Sequence, residues 1–152
     1  MFREMRRMKN SMSETDTLNL LKRGQEGILG TIGENNYPYT VVLNYVFMDD
    51  KIYFHSAKTG HKLDNILYNK NVSFTVYDSV KIVEEEFTTK YKSVTLFGHA
   101  KVVESNKEIL MKLIEKYSPN FYKEGVTYVG KDFTTTVLIE VEIKHITGKE
   151  RV

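Results

Sequence analysis

The hydrophobic residues of this chain fall mainly into short runs of β-branched and aromatic residues that turn residues separate. Such runs are typical of β-strands, and six of them stand out: residues 27–32, 37–48, 51–56, 72–77, 93–103 and 136–146. Three other segments have apolar residues at helical spacing or a helix start signal: residues 13–22, 59–68 and 106–117. The pattern therefore predicts about six strands and three helices.

The connections between these strands indicate an antiparallel sheet. Residues 33–36 and Asp49-Asp50 are turn sequences, and residues 81–91 are expected to form a polar connection. A parallel doubly wound sheet needs a helix after every strand, which the pattern lacks. We therefore expect a mainly β fold, a small antiparallel barrel in a single domain of residues 1–152. Residues 1–12 are expected to form an N-terminal arm, either mobile or ordered against a partner subunit.

The run at residues 37–48 has two different faces. Its odd positions are all apolar or aromatic and predict a row facing the core: Tyr37, Tyr39, Val41, Leu43, Tyr45 and Phe47. Its even positions are mixed: Pro38, Thr40, Val42, Asn44, Val46 and Met48. This mixed composition suits either an interface or ligand-binding face, or a half-buried layer under a helix.

The segment YFHSAKTGHKLDNI predicts a strand that leads through Gly60 into a helix with a basic first turn. Lys58, His61 and Lys62 crowd the positive end of the helix dipole, where cations are unfavourable. A bound phosphate would remove this conflict, because a helix N-terminus offers free N–H groups and Gly60 allows close backbone approach. The alternative is a solvated basic end, softened by Asp64 one turn into the helix.

Composition excludes several kinds of site. The chain has 152 residues, 41% hydrophobic and 28% charged, and its net charge of +2 gives no reason to expect nucleic-acid binding. The absence of cysteine excludes disulfides, thiolate metal sites and a cysteine nucleophile. No apolar run has the length of a membrane span, and we expect a cytoplasmic protein.

The remaining polar residues give no pattern for a metal site or a serine nucleophile. The four histidines include no pair at the helical metal-binding spacing, so no metal is expected: His55, His61, His99 and His145. No serine lies in a nucleophile-elbow sequence. The acidic run Glu84-Glu85-Glu86 predicts a solvated loop.

Several segments together resemble a known family. They are MRRMKNSM, GILGTIGENNYPYTVVLNYVFMDDKIYFHSAKTGHKLDNI and FTTKYKSVTLFGHAKVVE, with IYFHSAKTGHKLDNI the most specific part. The chain resembles the FMN-binding split β-barrel proteins related to pyridoxamine 5′-phosphate oxidase, and most closely their nitroimidazole-resistance (NimA-type) branch. The resemblance implies a homodimer of six-stranded antiparallel split barrels with FMN at the subunit interface.

The resemblance also implies roles for particular residues. The FMN phosphate would meet the strand end and following helix, whose residues are His55, Ser56, Ala57, Gly60, His61 and Lys62. The isoalloxazine ring would lie along the strand that holds Thr40, Val42, Leu43 and Asn44. Tyr91 and Ser93 match a second strand region that contributes to the site. In the NimA-type branch the histidine matching His55 is associated with the flavin site and with nitro-group reduction.

The chain departs from the longer pyridoxamine 5′-phosphate oxidases at the phosphate end. They have an Arg-Lys pair where this chain has His61-Lys62, and an Arg-rich C-terminal substrate segment where this chain stops at Val152. The expected function is therefore FMN-dependent reduction of a small-molecule electron acceptor, with His55 as a catalytic proton donor. The alternatives are a non-catalytic module for flavin, deazaflavin or haem, pyridoxamine 5′-phosphate oxidase-like activity, and a flavin-free dimerisation fold.

Overall fold

The computed structural model describes residues 1–152 as one antiparallel sheet of seven strands with four α-helices. The strands are β1 Glu26–Ile32, β2 Pro38–Asn44, β3 Val46–Met48, β4 Lys51–Ala57, β5 Asn71–Val83, β6 Thr88–Glu104 and β7 Thr136–Arg151. The helices are α1 Glu14–Arg23, α2 His61–Tyr68, α3 Lys107–Tyr117 and α4 Tyr122–Thr135. The fold is the predicted split β-barrel type, with one more strand and one more helix than the sequence pattern indicated.

The additional strand arises because the predicted strand at residues 37–48 breaks at Tyr45. The strand order is β2-β1-β5-β6-β7-β4-β3, so β2 and β3 lie at opposite edges of the sheet. Only Tyr45 separates them in sequence. Because one residue can span only a few ångströms, the two edges must lie side by side, and the sheet curls into a barrel.

The break also decides between the two interpretations of the mixed face. As far as Asn44 the even positions are exposed, with Val42 at 63%. Beyond Tyr45, Val46 is buried and Met48 is half-buried, and both pack with residues of α3. The odd row faces the core as predicted, except for Tyr37, which lies in the turn before β2 and is exposed.

The barrel interior holds the main hydrophobic core. Inward-facing residues of β1 and β4 to β7 pack there with the buried faces of α1 and α2; the largest buried side chains include Leu20, Leu21, Leu29, Ile52, Phe54, Phe74, Leu96 and Ile139. Helix α1 begins as predicted, with the Ser13 side chain accepting a hydrogen bond from the Asp16 N–H (3.1 Å). Helix α2 begins at His61, two residues after the predicted start.

A second cluster lies on the outer face of the barrel, beneath α3 and α4. Strand β4 alternates between the two clusters, because Ile52 and Phe54 point into the barrel whereas Tyr53 packs outward. The outer cluster consists of Val46, Tyr53, Ile109, Leu110, Leu113, Val129 and Leu138. The helical hairpin of α3 and α4 therefore covers the face on which the odd-numbered residues of β4 lie.

Helix α4 was not predicted, and its glycines explain why. Gly125 and Gly130 lie within a helix that also contains β-branched residues, and both features lower helix propensity. A Cβ at position 125 would lie 2.3 Å from Cγ2 of Ile114, so glycine is required for the close approach of α4 to α3. Packing against α3 thus outweighs the weak local propensity.

The prediction of a polar connection at residues 81–91 was wrong. Strand β5 continues to Val83 and β6 begins at Thr88, with Lys81, Ile82 and Val83 paired to residues of β6. A single 3₁₀ turn at Glu84–Glu86 and left-handed Phe87 (φ 50°) close the hairpin. The backbone ladder continues although the side chains are mostly exposed, which is why hydrophobicity did not reveal it. The acidic run itself is exposed, as predicted.

None of the four helices combines the length and apolar composition that a bilayer-spanning helix requires.

The break at Tyr45 is held in place by the end of α3. The Tyr117 hydroxyl accepts a hydrogen bond from the Tyr45 N–H (3.0 Å) and donates to the Gln25 carbonyl. The Lys116 amine donates to the Tyr45 carbonyl (2.9 Å) and lies 3.7 Å from the centre of the Tyr45 ring. Two α3 side chains thus satisfy the backbone groups that Tyr45 cannot pair within a sheet.

Replacing Tyr117 with Phe should lower the free energy of unfolding by about 1–3 kcal/mol, because the N–H of fully buried Tyr45 would lose its partner. Urea denaturation at pH 7 measures the change. Tyr122→Phe is the matched control: this tyrosine is exposed and its hydroxyl makes no hydrogen bond, so a change within about 0.5 kcal/mol is expected. Equal effects of the two substitutions would show that the Tyr117 hydroxyl does not support the break.

Lys116 should make stability depend on alkaline pH. Burial lowers the pKa of Lys116 from 10.5 to about 8. Between these values the unfolded chain binds more protons than the folded protein, so stability should increase as pH rises from about 8. Burial also raises the pKa of Tyr45 and of Tyr117, which opposes the trend above their ordinary value of 10.0. The effect of Lys116 on stability is therefore best measured between pH 8 and pH 10.

Urea denaturation at pH 7, 8, 9 and 10 would measure this dependence. The free energy of unfolding of the wild type should rise relative to that of Lys116→Met across this pH range. Lys112→Met removes an exposed amine from the same helix, and its free energy of unfolding should have the same pH dependence as that of the wild type. A constant difference between the wild type and Lys116→Met would contradict the assignment.

Candidate functional site

The basic residues at the start of α2 lie together and have no acidic partner. Lys58, Gly60 and His61 are exposed and Lys62 is half-buried. The five ion pairs of the chain involve other residues, so no carboxylate oxygen lies within 4.0 Å of these cations. Asp64, which the sequence suggested would partly offset the positive charge, is exposed and forms no ion pair with these residues. The positive charge at this helix end is therefore not neutralised within the chain.

The backbone of α2 also leaves donors free at this end. The N-cap is Gly60, with φ +150° and no side-chain capping bond. The first backbone hydrogen bond of the helix runs from the Asp64 N–H to the Gly60 carbonyl (3.1 Å). The N–H groups of His61, Lys62 and Leu63 thus point outward without a partner in the helix. The arrangement can bind an anion.

Tyr39 joins this basic end to strand β2. The His61 ring lies over the Tyr39 ring, with a centroid distance of 3.9 Å and an interplanar angle of 33°. The sequence pattern assigned Tyr39 to the core row, and it is indeed half-buried, but its contact with His61 was not predicted. The contact places the basic end of α2 beside the strand that carries Thr40, Val42 and Asn44.

The exposed row of β2 divides between two depressions. Thr40 lines a shallow groove of about 260 Å³ on the outer face of the sheet, together with Gly30, Ser73 and Phe97. Asn44 lies at the far end of the strand and lines a separate cleft with His55. The Leu43 side chain instead packs against the core cluster, so only its backbone is available to a ligand on the outer face.

The cleft beside Asn44 lies between the barrel and the α3–α4 hairpin. Its volume is about 110 Å³, and it is lined by Asn44, His55, Leu110, Leu113, Ile114, Tyr117, Ser118, Tyr128, Val129 and Asp132. Eight of these residues belong to α3, α4 or the segment between them. Sequence reasoning missed them because it did not predict α4 and because it used the apolar spacing of α3 only as evidence for a helix.

His55 is an unpartnered side chain in this cleft. Its Nδ1 atom is buried without a hydrogen-bond partner, and no other hydrogen bond involves its ring. A buried polar nitrogen in this condition is costly unless a ligand, water or rearrangement satisfies it. Neighbouring Ser56 has the opposite orientation: it is buried toward the barrel interior, and its hydroxyl donates to the Ala57 carbonyl (2.9 Å). Ala57 is exposed at the strand end.

Tyr91 and Ser93 are not brought to the cleft within one chain. Asn44 pairs with Glu26, which is level with Tyr77 of β5, and Tyr77 pairs with Ser93 of β6. Three strand spacings separate Asn44 from Ser93, roughly 14 Å across the sheet. The side chains of Ser93 and Tyr91 lie on the same outer face as the exposed row of β2, since Val94, the residue after Ser93, is buried and points inward. Tyr91 is two residues further along β6, opposite Arg151.

The structure therefore groups most of the predicted residues in three separate places. Gly60, His61 and Lys62 form the basic end of α2, Asn44 and His55 meet in the cleft, and Tyr91 with Ser93 lies across the sheet. Thr40 and Val42 lie on the strand between the first two groups and face outward.

The chain belongs to the pyridoxamine 5′-phosphate oxidase family, whose model matches residues 13–150. This confirms the family resemblance seen in the sequence. A comparison with curated protein sequences gives no match.

Solved structures with a similar fold cover nearly the whole chain. A conserved hypothetical protein from Mycobacterium tuberculosis has a TM-score of 0.82 at 19% identity, covering 97% of this chain and 90% of its own. A putative 5-nitroimidazole antibiotic resistance protein from Bacteroides thetaiotaomicron has a TM-score of 0.73 at 19% identity, covering 92% and 86%. An FAD and heme binding protein from Mycobacterium smegmatis has a TM-score of 0.79 at 16% identity, covering 93% and 73%.

Proposed function

We propose that this protein binds FMN and acts as a flavin-dependent oxidoreductase on small molecules. The observation that carries the proposal is the basic end of α2, whose cations have no carboxylate partner. Membership of the pyridoxamine 5′-phosphate oxidase family supports the same cofactor class, as does the flavin-binding relative from M. smegmatis. Nitro compounds are among the acceptors to test, in view of the similar resistance protein.

The basic end of α2 would hold the cofactor phosphate. Lys62 would supply a charge-assisted hydrogen bond, and the free N–H groups of the first turn would supply further donors. Gly60 has no Cβ, and a Cβ built there would meet no atom within 4 Å, so its surroundings are open to a ligand. Phosphate binding would remove both the repulsion among the cations and their conflict with the helix dipole.

The outer face of β2 would hold the ring, with its polar edge reaching Asn44 at the mouth of the cleft. Thr40, Val42 and the Leu43 backbone offer a half-polar surface of the kind that suits a flat ring system with a polar edge. The Asn44 amide would donate a hydrogen bond to that edge and stabilise negative charge there. When bound, a flavin supplies the capacity to accept and pass on electrons. The His55 ring would hold a proton next to a substrate in the cleft.

We also propose that the working unit is a homodimer in which both subunits contribute to each site. Tyr91 and Ser93 lie roughly 14 Å or more across the sheet from Asn44 in the same chain. A second copy, related by a two-fold axis, would bring these residues to the β2 face of its partner. Exposed Val42, Tyr77 and Phe97 on this face would be covered by that association.

A second candidate is a module that binds a flavin, a deazaflavin or haem without turnover. The FAD and heme binding relative favours this alternative. Reduction of the purified protein by NADH or NADPH, followed by mixing with nitro or quinone acceptors, separates the two functions. Rapid electron transfer to an acceptor supports an enzyme, whereas bound but unreactive cofactor supports a module.

Lys62→Ala should weaken FMN binding by about tenfold or more, because a charged hydrogen-bond donor to phosphate is lost. Fluorescence titration of the unliganded protein with FMN measures the dissociation constant. Lys70→Ala removes an exposed amine just after the same helix and should leave that constant within about twofold of wild type. If Lys62→Ala binds FMN as tightly as Lys70→Ala, the phosphate does not lie at this helix end.

Coexpression of two variants with defective flavin binding should restore part of that binding if each site is shared between subunits. Lys62→Ala and Tyr91→Ala are each expected to bind little FMN alone. After coexpression, one site of each mixed dimer would be intact, which gives about a quarter of the wild-type flavin content. Lys62→Ala coexpressed with Gly60→Ala is the control, because the Cβ added at position 60 would occupy space proposed for the phosphate and so both changes lie in the same half of the site. No recovery in the first mixture would contradict shared sites.

A further inference from the structure

The cleft between β4 and the α3–α4 hairpin has apolar walls and a defined size. Leu110, Leu113, Ile114 and Val129 line it, and the rings of Tyr117 and Tyr128 complete it. Its volume of about 110 Å³ is somewhat below that of an apolar cavity of about 150 Å³, which binds benzene. Tyr128 is 53% exposed, so the wall at this point can yield to an entering molecule. A ligand built on one six-membered ring matches this space.

The cleft contains an acidic side chain but no lysine or arginine. Asp132 is its only carboxylate, and no lysine or arginine lines it. The Asp132 side chain makes no hydrogen bond or ion pair within the chain, since only its backbone carbonyl is used, by Thr135 and Thr136. Lys116, which precedes the lining residue Tyr117 on α3, donates its amine to the Tyr45 carbonyl and does not line the cleft.

Asp132 and Tyr128 are one helical turn apart on α4, so both lie on the face that lines the cleft. On the opposite wall, the amide of Asn44 and the imidazole of His55 belong to the barrel. His55 has a buried nitrogen without a partner, which is a second unsatisfied polar group in the same cleft. A ligand between the two walls would therefore meet a carboxylate on one side and an amide and an imidazole on the other.

We infer that this cleft binds small aromatic compounds that carry an amino or other cationic group. The carboxylate of Asp132 attracts the cation, the tyrosine rings favour it further, and the leucine and isoleucine side chains pack on the ring. An anionic ring compound would place its charge against Asp132 without any compensating lysine or arginine. Binding at this cleft does not require the flavin. That the bound compound is also the electron-transfer substrate rests on the proposed function, because Asn44 lines the cleft and is proposed to contact the flavin.

Three probes of nearly equal shape and different charge test this inference: benzylamine, benzyl alcohol and benzoate. In isothermal titration calorimetry of the full chain at pH 7.0, benzylamine should bind most tightly, benzyl alcohol less tightly and benzoate least tightly. Asp132→Asn should weaken benzylamine binding about tenfold and leave benzyl alcohol binding unchanged, because only the charge is removed. Glu124→Gln makes the same charge change on the exposed first turn of α4 and should alter neither affinity.

Flavin content measured on the same preparations separates this inference from the proposed function. Asp132→Asn should retain the flavin of the wild type, while Lys62→Ala should lose flavin but still bind benzylamine. Benzoate binding as tightly as benzylamine, or equal effects of Asp132→Asn and Glu124→Gln, would overturn the charge preference. Loss of flavin in Asp132→Asn would show that the cleft belongs to the cofactor instead. Failure of the chain to bind any flavin, with benzylamine binding intact, would overturn only the proposed function.

Discussion

The structure depends on the passage of the chain from one edge of the sheet to the other at Tyr45. A residue at such a crossing cannot pair its backbone within either strand, so other groups must satisfy it. The side chains of Tyr117 and Lys116 do so from the end of α3, and the Tyr45 hydroxyl in turn donates to the Leu21 carbonyl of α1. One residue therefore links barrel closure to two helices, and its position fixes where Asn44 lies relative to α3.

The candidate site follows from this closure. Asn44 immediately precedes Tyr45, and His55 lies on a strand that pairs with β3 at its other end. Their common cleft exists because the two sheet edges meet and α3–α4 covers the join. The basic end of α2 lies at the opposite end of β2, where His61 contacts Tyr39. An extended ligand with a phosphate at one end and a ring at the other fits this layout, which is why a flavin mononucleotide is the cofactor we propose.

Local sequence signals predicted those parts of the fold that depend on local chemistry. Ser13 and Asn106 both cap helices as their residue types indicate, and Asp49-Asp50 forms a tight turn with positive φ at both residues. The basic first turn of α2 was found because its conflict with the helix dipole is visible in the sequence. The family resemblance added the barrel type and the proposal that β2 faces a cofactor.

The missed features depend on contacts between distant segments. Nothing local marks Tyr45 as a break, because the partner that makes the break possible is Tyr117, 72 residues later. The extension of the β5–β6 hairpin rests on backbone pairing rather than on buried side chains, and α4 rests on packing against α3. The cleft residues of α3 and α4 could not be assigned for the same reason: their apolar pattern is equally consistent with ordinary core packing.

The missing side chain at Gly125 has a consequence for how this architecture can vary. Because Ile114 occupies the space that a Cβ at position 125 would need, the close approach of α3 and α4 at this point depends on a glycine that lies outside the barrel. A bulkier residue there would push α4 away from α3, whereas the contacts of Tyr117 and Lys116 with Tyr45 are made by α3. The position of the α4 wall of the candidate cleft is thus set partly by a contact other than those that hold the chain crossing at Tyr45.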